Sequence, residues 1–425
     1  MKPKVLLLSD DIRSVSGVAR ISKDIILNTV DKFDWVQLAA KHDHEEDGHI
    51  IDVSKATEEM TGVSDAYVRL YANTGYGDEM TLRRIIKHEN PDLILHITDP
   101  RYWGWLYAME RYVRQTIPIC YYHVWDNEPP PKFNKGVYKS CDWIGCISEL
   151  TYKMVKQVDT DRQPWQTSYI PHGVCPIKYH PTGNADLTLF KKQILGDRHY
   201  KFVVLSNNVN IPRKQLTTIL SAYSRFGDSL PTSEQNDILL LMHTNPKFTS
   251  GGDLYSVAKD LCPVHDVIFS TTLMDDTHLN YLYNISDVTI NVASNEGFGL
   301  STLESILAGT PIIVSKTGGL VDQIHEEEGH HGVWASAIKP AVRNLTSSQQ
   351  VPYIYSDICS EVDVANEISV WYNMTDGERR QCGESGRSHA TVHLTSQVMC
   401  DKIANGLHTT LKKFIPRDRI SLLTT

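Results

Sequence analysis

The chain has 425 residues, with 42 Lys plus Arg against 51 Asp plus Glu and a formal charge of −9. That length exceeds what one hydrophobic core usually fills, so two domains are expected. The charge argues against a broad sequence-independent grip on nucleic acid, though not against a local basic groove.

At the start, "MKPKVLLLSDD" offers only a short apolar run before two aspartates, which is not the apolar region of a secretory signal. The run "KVLLL" reads as a strand followed by helical spacing over 18–30. "KHDHEEDGH" (41–49) fits no metal-ligand template and is read as a solvated loop. "DLILHI" (92–97), "IPICYY" (117–122) and "WIGCI" (143–147) are further strands, each leading into helical spacing over 102–115, 132–140 and 149–157. "DTD" (159–161) ends the last of these helices rather than following a strand, so it is read as a loop and not as a metal-diphosphate motif. The Pro- and Gly-rich "IPHGVCPIKYHPTGNAD" (170–186) marks a hinge. A second series then runs "KFVVLS" (201–206), "DILLLMH" (237–243), "DVIFS" (266–270), "DVTINVA" (287–293) and "TPIIVS" (310–315), and a last helix covers 394–414.

Alternation of this kind predicts an α/β protein with parallel sheets in two Rossmann-like, doubly wound domains. We divide the chain into residues 1–175, 176–395, and a C-terminal helix and tail over 396–425 that can pack back on the first domain. Ligands of open α/β sheets bind outside the carboxyl ends of the strands, here a central cleft. No stretch approaches the roughly 18 apolar residues of a membrane span. Eight cysteines without a C-x-x-C pair fit reduced core thiols and a cytoplasmic protein, in the host cytoplasm if the source is viral. The Asn-x-Ser/Thr triplets at Asn284, Asn344 and Asn373 are then chance matches.

The stretch "NEGFGLSTLE" (295–304) carries the chemistry. It lies between a strand built on Val288, Ile290 and Val292 and a helix whose apolar face is Leu303, Ile306 and Leu307, ended by Gly309 and Pro311. The helix is expected to begin near Leu300–Ser301, where its free amides form an anion site and two glycines allow close approach. "STLE" also reads as a capping box, with Ser301 at the N-cap and Glu304 reaching back, which needs no ligand. Glu296 beside a phosphate site is awkward unless it meets hydroxyls, so the implied ligand is a nucleoside diphosphate sugar.

Residues 295–324 resemble the donor-binding segment of the family-4 retaining glycosyltransferases, with E-x7-E spacing, an "AGTP" turn and a "GG" loop. The resemblance implies the GT-B fold and a UDP-sugar as donor. It places Glu296 on the transferred sugar, Glu304 on the ribose, and the backbone of Gly297, Phe298, Gly299, Leu300 and Ser301 on sugar and diphosphate. "LSNNVNIPRKQL" resembles the family's basic loop, which assigns Arg213 and Lys214 to the diphosphate, with Val209 where the family has an earlier arginine. Gly17 matches the family's first glycine-rich loop, and His123 its cleft histidine. His172 and Cys175 stand where the family has asparagine and aspartate.

What the resemblance implies is transfer with retained configuration, in which the departing diphosphate oxygen helps take the acceptor proton and the protein positions the groups and stabilises charge. Neither cofactor nor metal is expected, and no stable membrane insertion. The acceptor is expected against 99–112 and 123–136, as a glycan or a base. The chain is also similar to bacteriophage enzymes that glycosylate hydroxymethylated cytosine in DNA, where exposed aromatics would suit a flipped base. A nucleotide-sugar epimerase and a silent sugar-nucleotide-binding module share the architecture and remain alternatives.

Overall fold

A computed structural model describes residues 2–325 and 332–417. The tail expected beyond the last helix thus lies partly outside the described residues.

The first half builds one sheet from β1 (Lys4–Asp10), β2 (Asp34–Lys41), β3 (Ile50–Asp52), β4 (Val68–Thr74), β5 (Leu93–Ile97), β6 (Ile119–His123), β7 (Trp143–Cys146) and β8 (Thr167–Tyr169). Their spatial order is 3-4-2-1-5-6-7-8, parallel except for β3 against β4. The second half builds β9 (Phe202–Asn207), β10 (Ile238–His243), β11 (Asp266–Ser270), β12 (Val288–Asn291), β13 (Ile312–Ser315) and β14 (Ala335–Ile338), in the order 11-10-9-12-13-14. The central strands are buried along all but their ends, as "KVLLL" and "DILLLMH" require of parallel strands covered on both faces. A hairpin of β15 (Val342–Thr346) and β16 (Ile354–Ile358) stands apart from both sheets.

In each sheet the strand order reverses once, between β1 and β5 and between β9 and β12. Such a reversal opens a crevice at the carboxyl ends of the strands, because the flanking loops leave on opposite faces. The loops after β1, β5 and β6 therefore face those after β9 and β12.

Helix α1 (Gly17–Leu27) starts where the Ser16 hydroxyl accepts from the Ala19 amide, and it buries Ala19, Ile21, Ile25 and Ile26. The stretch 102–115, expected as one helix, is instead a 3-10 turn, Pro100–Trp103, and two short helices, Gly104–Ala108 and Glu110–Val113. Helix α2 (Glu149–Val158) ends at Asp159, so "DTD" is a helix end. Loop 41–49 is not wholly solvated: His44 is buried and lies 2.9 Å from Asp11. Helices α3 (Leu216–Asp228) and α4 (Leu300–Leu307) follow β9 and β12. After the second sheet come α5 (Glu361–Asn373), α6 (Asp376–His393) and α7 (Ser396–Lys413).

The chain crosses between halves twice, side by side: Val174 donates to Leu394 O and Ser396 donates to Val174 O, both at 3.1 Å. Beyond that crossing α7 lies on the first half. His408 stacks on Phe33 at 4.6 Å, Lys32 pairs with Asp401 at 2.6 Å, and Gly406 meets the Trp143 ring with no room for a side chain. Among the described residues no helix is long and apolar enough to cross a membrane.

Candidate active site

Between the two sheets, at both reversals, lies a cavity of about 470 Å³. The second half lines it with Asn207, Asn208, Val209, Arg213, Lys214 and the run Glu296–Ser301, and the first half with Gly17, Ile97, Val124 and Asp126. A hollow of about 520 Å³ lies at the opposite, amino ends of β9 and β12. There Arg379 is paired with Asp287 and Asp376.

The loop after β12 depends on Gly299, whose φ of +92° and neighbours Leu320 Cδ2 and Thr302 Oγ1, 2.7 and 2.9 Å from where a Cβ would be, require glycine. Gly299 is itself the N-cap of α4, and no side chain caps the helix. The capping box expected from "STLE" is therefore not formed: Ser301 lies inside the first turn, and Glu304 turns away. Gln323 donates to the carbonyls of Phe298 and Gly299 at 2.6 and 2.8 Å, pinning the loop. Among the described residues nothing accepts from the amides of Gly297, Phe298, Gly299, Leu300 or Ser301, which leaves a row of donors on one wall.

Facing that loop, Arg213 and Lys214 sit in a 3-10 turn, Pro212–Lys214, one step before α3 rather than in its first turn. Gln215, at φ +49°, holds the turn by donating to Val292 O and Asp357 O. Lys214 is buried and ion-paired with Glu296, while Arg213 donates to Asn295 O at 2.7 Å and lies 3.7 Å from Glu296. Burial alone would raise the Glu296 pKa; Lys214 and Arg213 overcome it and hold the carboxyl below its usual range. Burial lowers the Lys214 pKa, against the pull of Glu296.

Two expected residues are not brought to the cavity. His123 ends β6 with its side chain on the far face, buried and 2.7 Å from the Tyr138 hydroxyl. Alternation along the strand gives the cavity Val124 instead. The histidine in the wall is His172, edge-on to Phe298 and 2.9 Å from the Tyr122 hydroxyl; burial lowers its pKa to about 3, so it is neutral. Glu304 is buried outside the lining, its carboxylate bonded by Arg20 of α1 and, at 2.6 Å, by the Tyr283 hydroxyl. Gly17 does reach the cavity, 3.7 Å from Leu300 Cδ1 as measured to its would-be Cβ. Asp126, which sequence reasoning missed, also lines it; its one signal was its place just past a strand's carboxyl end.

Arg20–Glu304 joins the two halves. Arg20→Ala leaves a buried carboxylate without its cation, and is expected to cost about 3 kcal/mol of stability, read as a lowered melting temperature by calorimetry. Arg20→Lys should recover part of it.

Comparison with solved structures identifies the fold. Sucrose-phosphate synthase of Thermosynechococcus elongatus matches with a TM-score of 0.71 at 16% identity, covering 97% of this chain and 99% of that one. Anabaena HepE, solved with UDP and glucose, matches with a TM-score of 0.68 at 16% identity, covering 96% and 100%. The fold is GT-B. Residues 190–341 match the family Glycosyl transferases group 1. An uncharacterized glycosyltransferase of Methanocaldococcus jannaschii is 37% identical over 93 residues, 21% of this chain and 23% of that one. The chain thus spans less than a quarter of the length of that curated relative. Together these matches show the GT-B fold for the chain and, over residues 190–341, a likeness to glycosyltransferases.

Proposed function

We propose that the protein transfers a sugar from a UDP-sugar to an acceptor hydroxyl with retention of configuration. The observation that carries this reading is the row of unpartnered amides at 297–301, set across one cavity from Arg213 and Lys214. Amides and fixed cations on opposite walls match a diphosphate, and Glu296 between them matches the hydroxyls of the attached sugar. HepE, of the same fold, binds UDP-glucose. Glu304 meets the ribose only if Arg20 yields one of its oxygens.

In this reading the first half, 1–175, receives the acceptor and the second, 176–395, the donor. The departing diphosphate is stabilised by Lys214, Arg213 and the helix amides, so transfer is expected to persist in EDTA. The acceptor is a glycan or a hydroxymethylated base, and the eight unpaired thiols accord with a reducing compartment such as the cytoplasm. Titration calorimetry with UDP and UDP-glucose tests the donor site: binding that weakens in Arg213→Ala is expected, and no binding of any nucleotide sugar would overturn the reading. Mass analysis with oligosaccharides and with hydroxymethylcytosine DNA then separates the acceptors.

A further inference from the structure

The first half contributes one ionisable side chain to the cavity whose bonding the fold leaves open. Asp126 follows β6 in a loop fixed on both sides. Its neighbour Asn127 donates across the cleft to Ser294 O at 3.3 Å and Tyr355 O at 2.6 Å. Gly318 packs on the Asp126 carbonyl so closely that a Cβ there would fall 2.7 Å from it, and a Cβ on Gly297 would stand 4.0 Å from Asp126 Cβ. The Asp126 side chain is thereby held beside the glycine of the donor loop, in the same cavity as Glu296 and Lys214.

Neighbouring carboxylates are all engaged: Glu296 by Lys214, Asp99 by Arg101, Asp357 by Arg343, Glu304 by Arg20. Asp126 is not. Apart from its own backbone amide, no described group donates to it. The charges facing it are Arg213 and Lys214 from the turn after β9, Glu296 from the donor loop, and Asp99 and Arg101 from the loop after β5. Burial pushes its pKa up to about 6, opposed by Arg213 and reinforced by Glu296 and Asp99. A carboxyl poised near neutrality is matched to taking and releasing a proton.

We propose that Asp126 is a catalytic residue whose carboxylate accepts the hydrogen bond of the acceptor hydroxyl and takes its proton during transfer. This rests on the donor reading above. As the acceptor oxygen bonds to the anomeric carbon, the bond from that carbon to the β-phosphate oxygen breaks and its electron pair leaves with UDP. The proton passes to Asp126 and from there to water at the cavity mouth. The assignment shifts the proton acceptor from the diphosphate oxygen to the protein.

The test uses the full chain and UDP-glucose, with UDP release measured in water and with added mono- and disaccharides, from pH 5 to 9. Asp126→Asn is expected to bind UDP-glucose as the wild type does, yet to turn over about a hundredfold more slowly. The wild-type rate should fall below about pH 6 as Asp126 protonates, and that limb should be missing in Asp126→Asn. Formate should restore part of the rate of Asp126→Ala, which a merely structural carboxyl would not allow. Wild-type turnover by Asp126→Asn, an unchanged acid limb, or glucose found covalently on Asp126 would overturn the proposal and leave the donor site intact. Failure of the wild type to bind UDP-glucose or release UDP would instead remove the donor reading, and this assignment with it.

Discussion

Glu296→Ala is expected to lower sugar transfer from UDP-glucose by about a hundredfold or more, on the scale of removing one fixed electrostatic contact at a reacting centre. Two losses combine. The sugar loses the carboxylate that receives its hydroxyls, and Lys214 loses its ion-pair partner while remaining buried. Burial already lowers the Lys214 pKa, so without Glu296 the ammonium is held still less firmly at neutral pH. UDP binding should change less than UDP-glucose binding, because the nucleotide lacks the group that meets Glu296. Calorimetry with both ligands, beside steady-state UDP release, separates these effects; full turnover by the variant would show that Glu296 lies outside the chemistry.

Lys214→Ala is expected to cost transfer about as much, about a hundredfold, with a different signature. The cation that faces the diphosphate is gone, so affinity for UDP itself should fall. Glu296 is then left buried with Arg213 at 3.7 Å as its remaining cation. The sign follows from the balance at this carboxyl. With Lys214 in place its pKa is depressed, so the pair stabilises the fold above the ordinary carboxyl range and that contribution fades as pH falls through the depressed value. With Lys214 removed, burial dominates and the Glu296 pKa rises, so the stability lost on acidification should begin to go at higher pH than in the wild type. Melting temperatures of Lys214→Ala and Lys214→Arg across acid pH measure the shift. An unmoved stability profile would mean that Lys214 does not control the ionisation of Glu296.

Much of this site was legible in the residues. Val288, Ile290 and Leu303, Ile306, Leu307 announced the change from strand to helix, and α4 begins at Leu300. The runs "KVLLL" and "DILLLMH" read as buried parallel strands because covered sheets need apolar residues at every position. "DWVQLAAK" and "VRLYANT", β2 and β4, were not read: Gln37 and Arg69 break the apolar run, and Gln37 is buried only because it donates to Ser9 and to the Asp10 carbonyl. The hairpin at 342–358 was likewise unread. Its strands are largely exposed, and it is held by cross-cleft contacts such as Tyr355 N to Glu128 O.

Local order thus set out the two strand series and the glycine turn at 297–299, since periodicity and φ > 0 preferences act over a few residues. Which charged side chains meet was decided only by tertiary structure. Glu304, seemingly poised to cap its own helix, is taken by Arg20 from 284 residues away, and Glu296 by Lys214 from 82 away. His123 and Asp126 stand three residues apart in one motif, yet the pleat of β6 turns the histidine into the core and the loop beyond it turns the acid toward the donor loop. Side-chain direction and ion-pair choice depend on how two sheets face each other, and nothing within a few residues of each position encodes that.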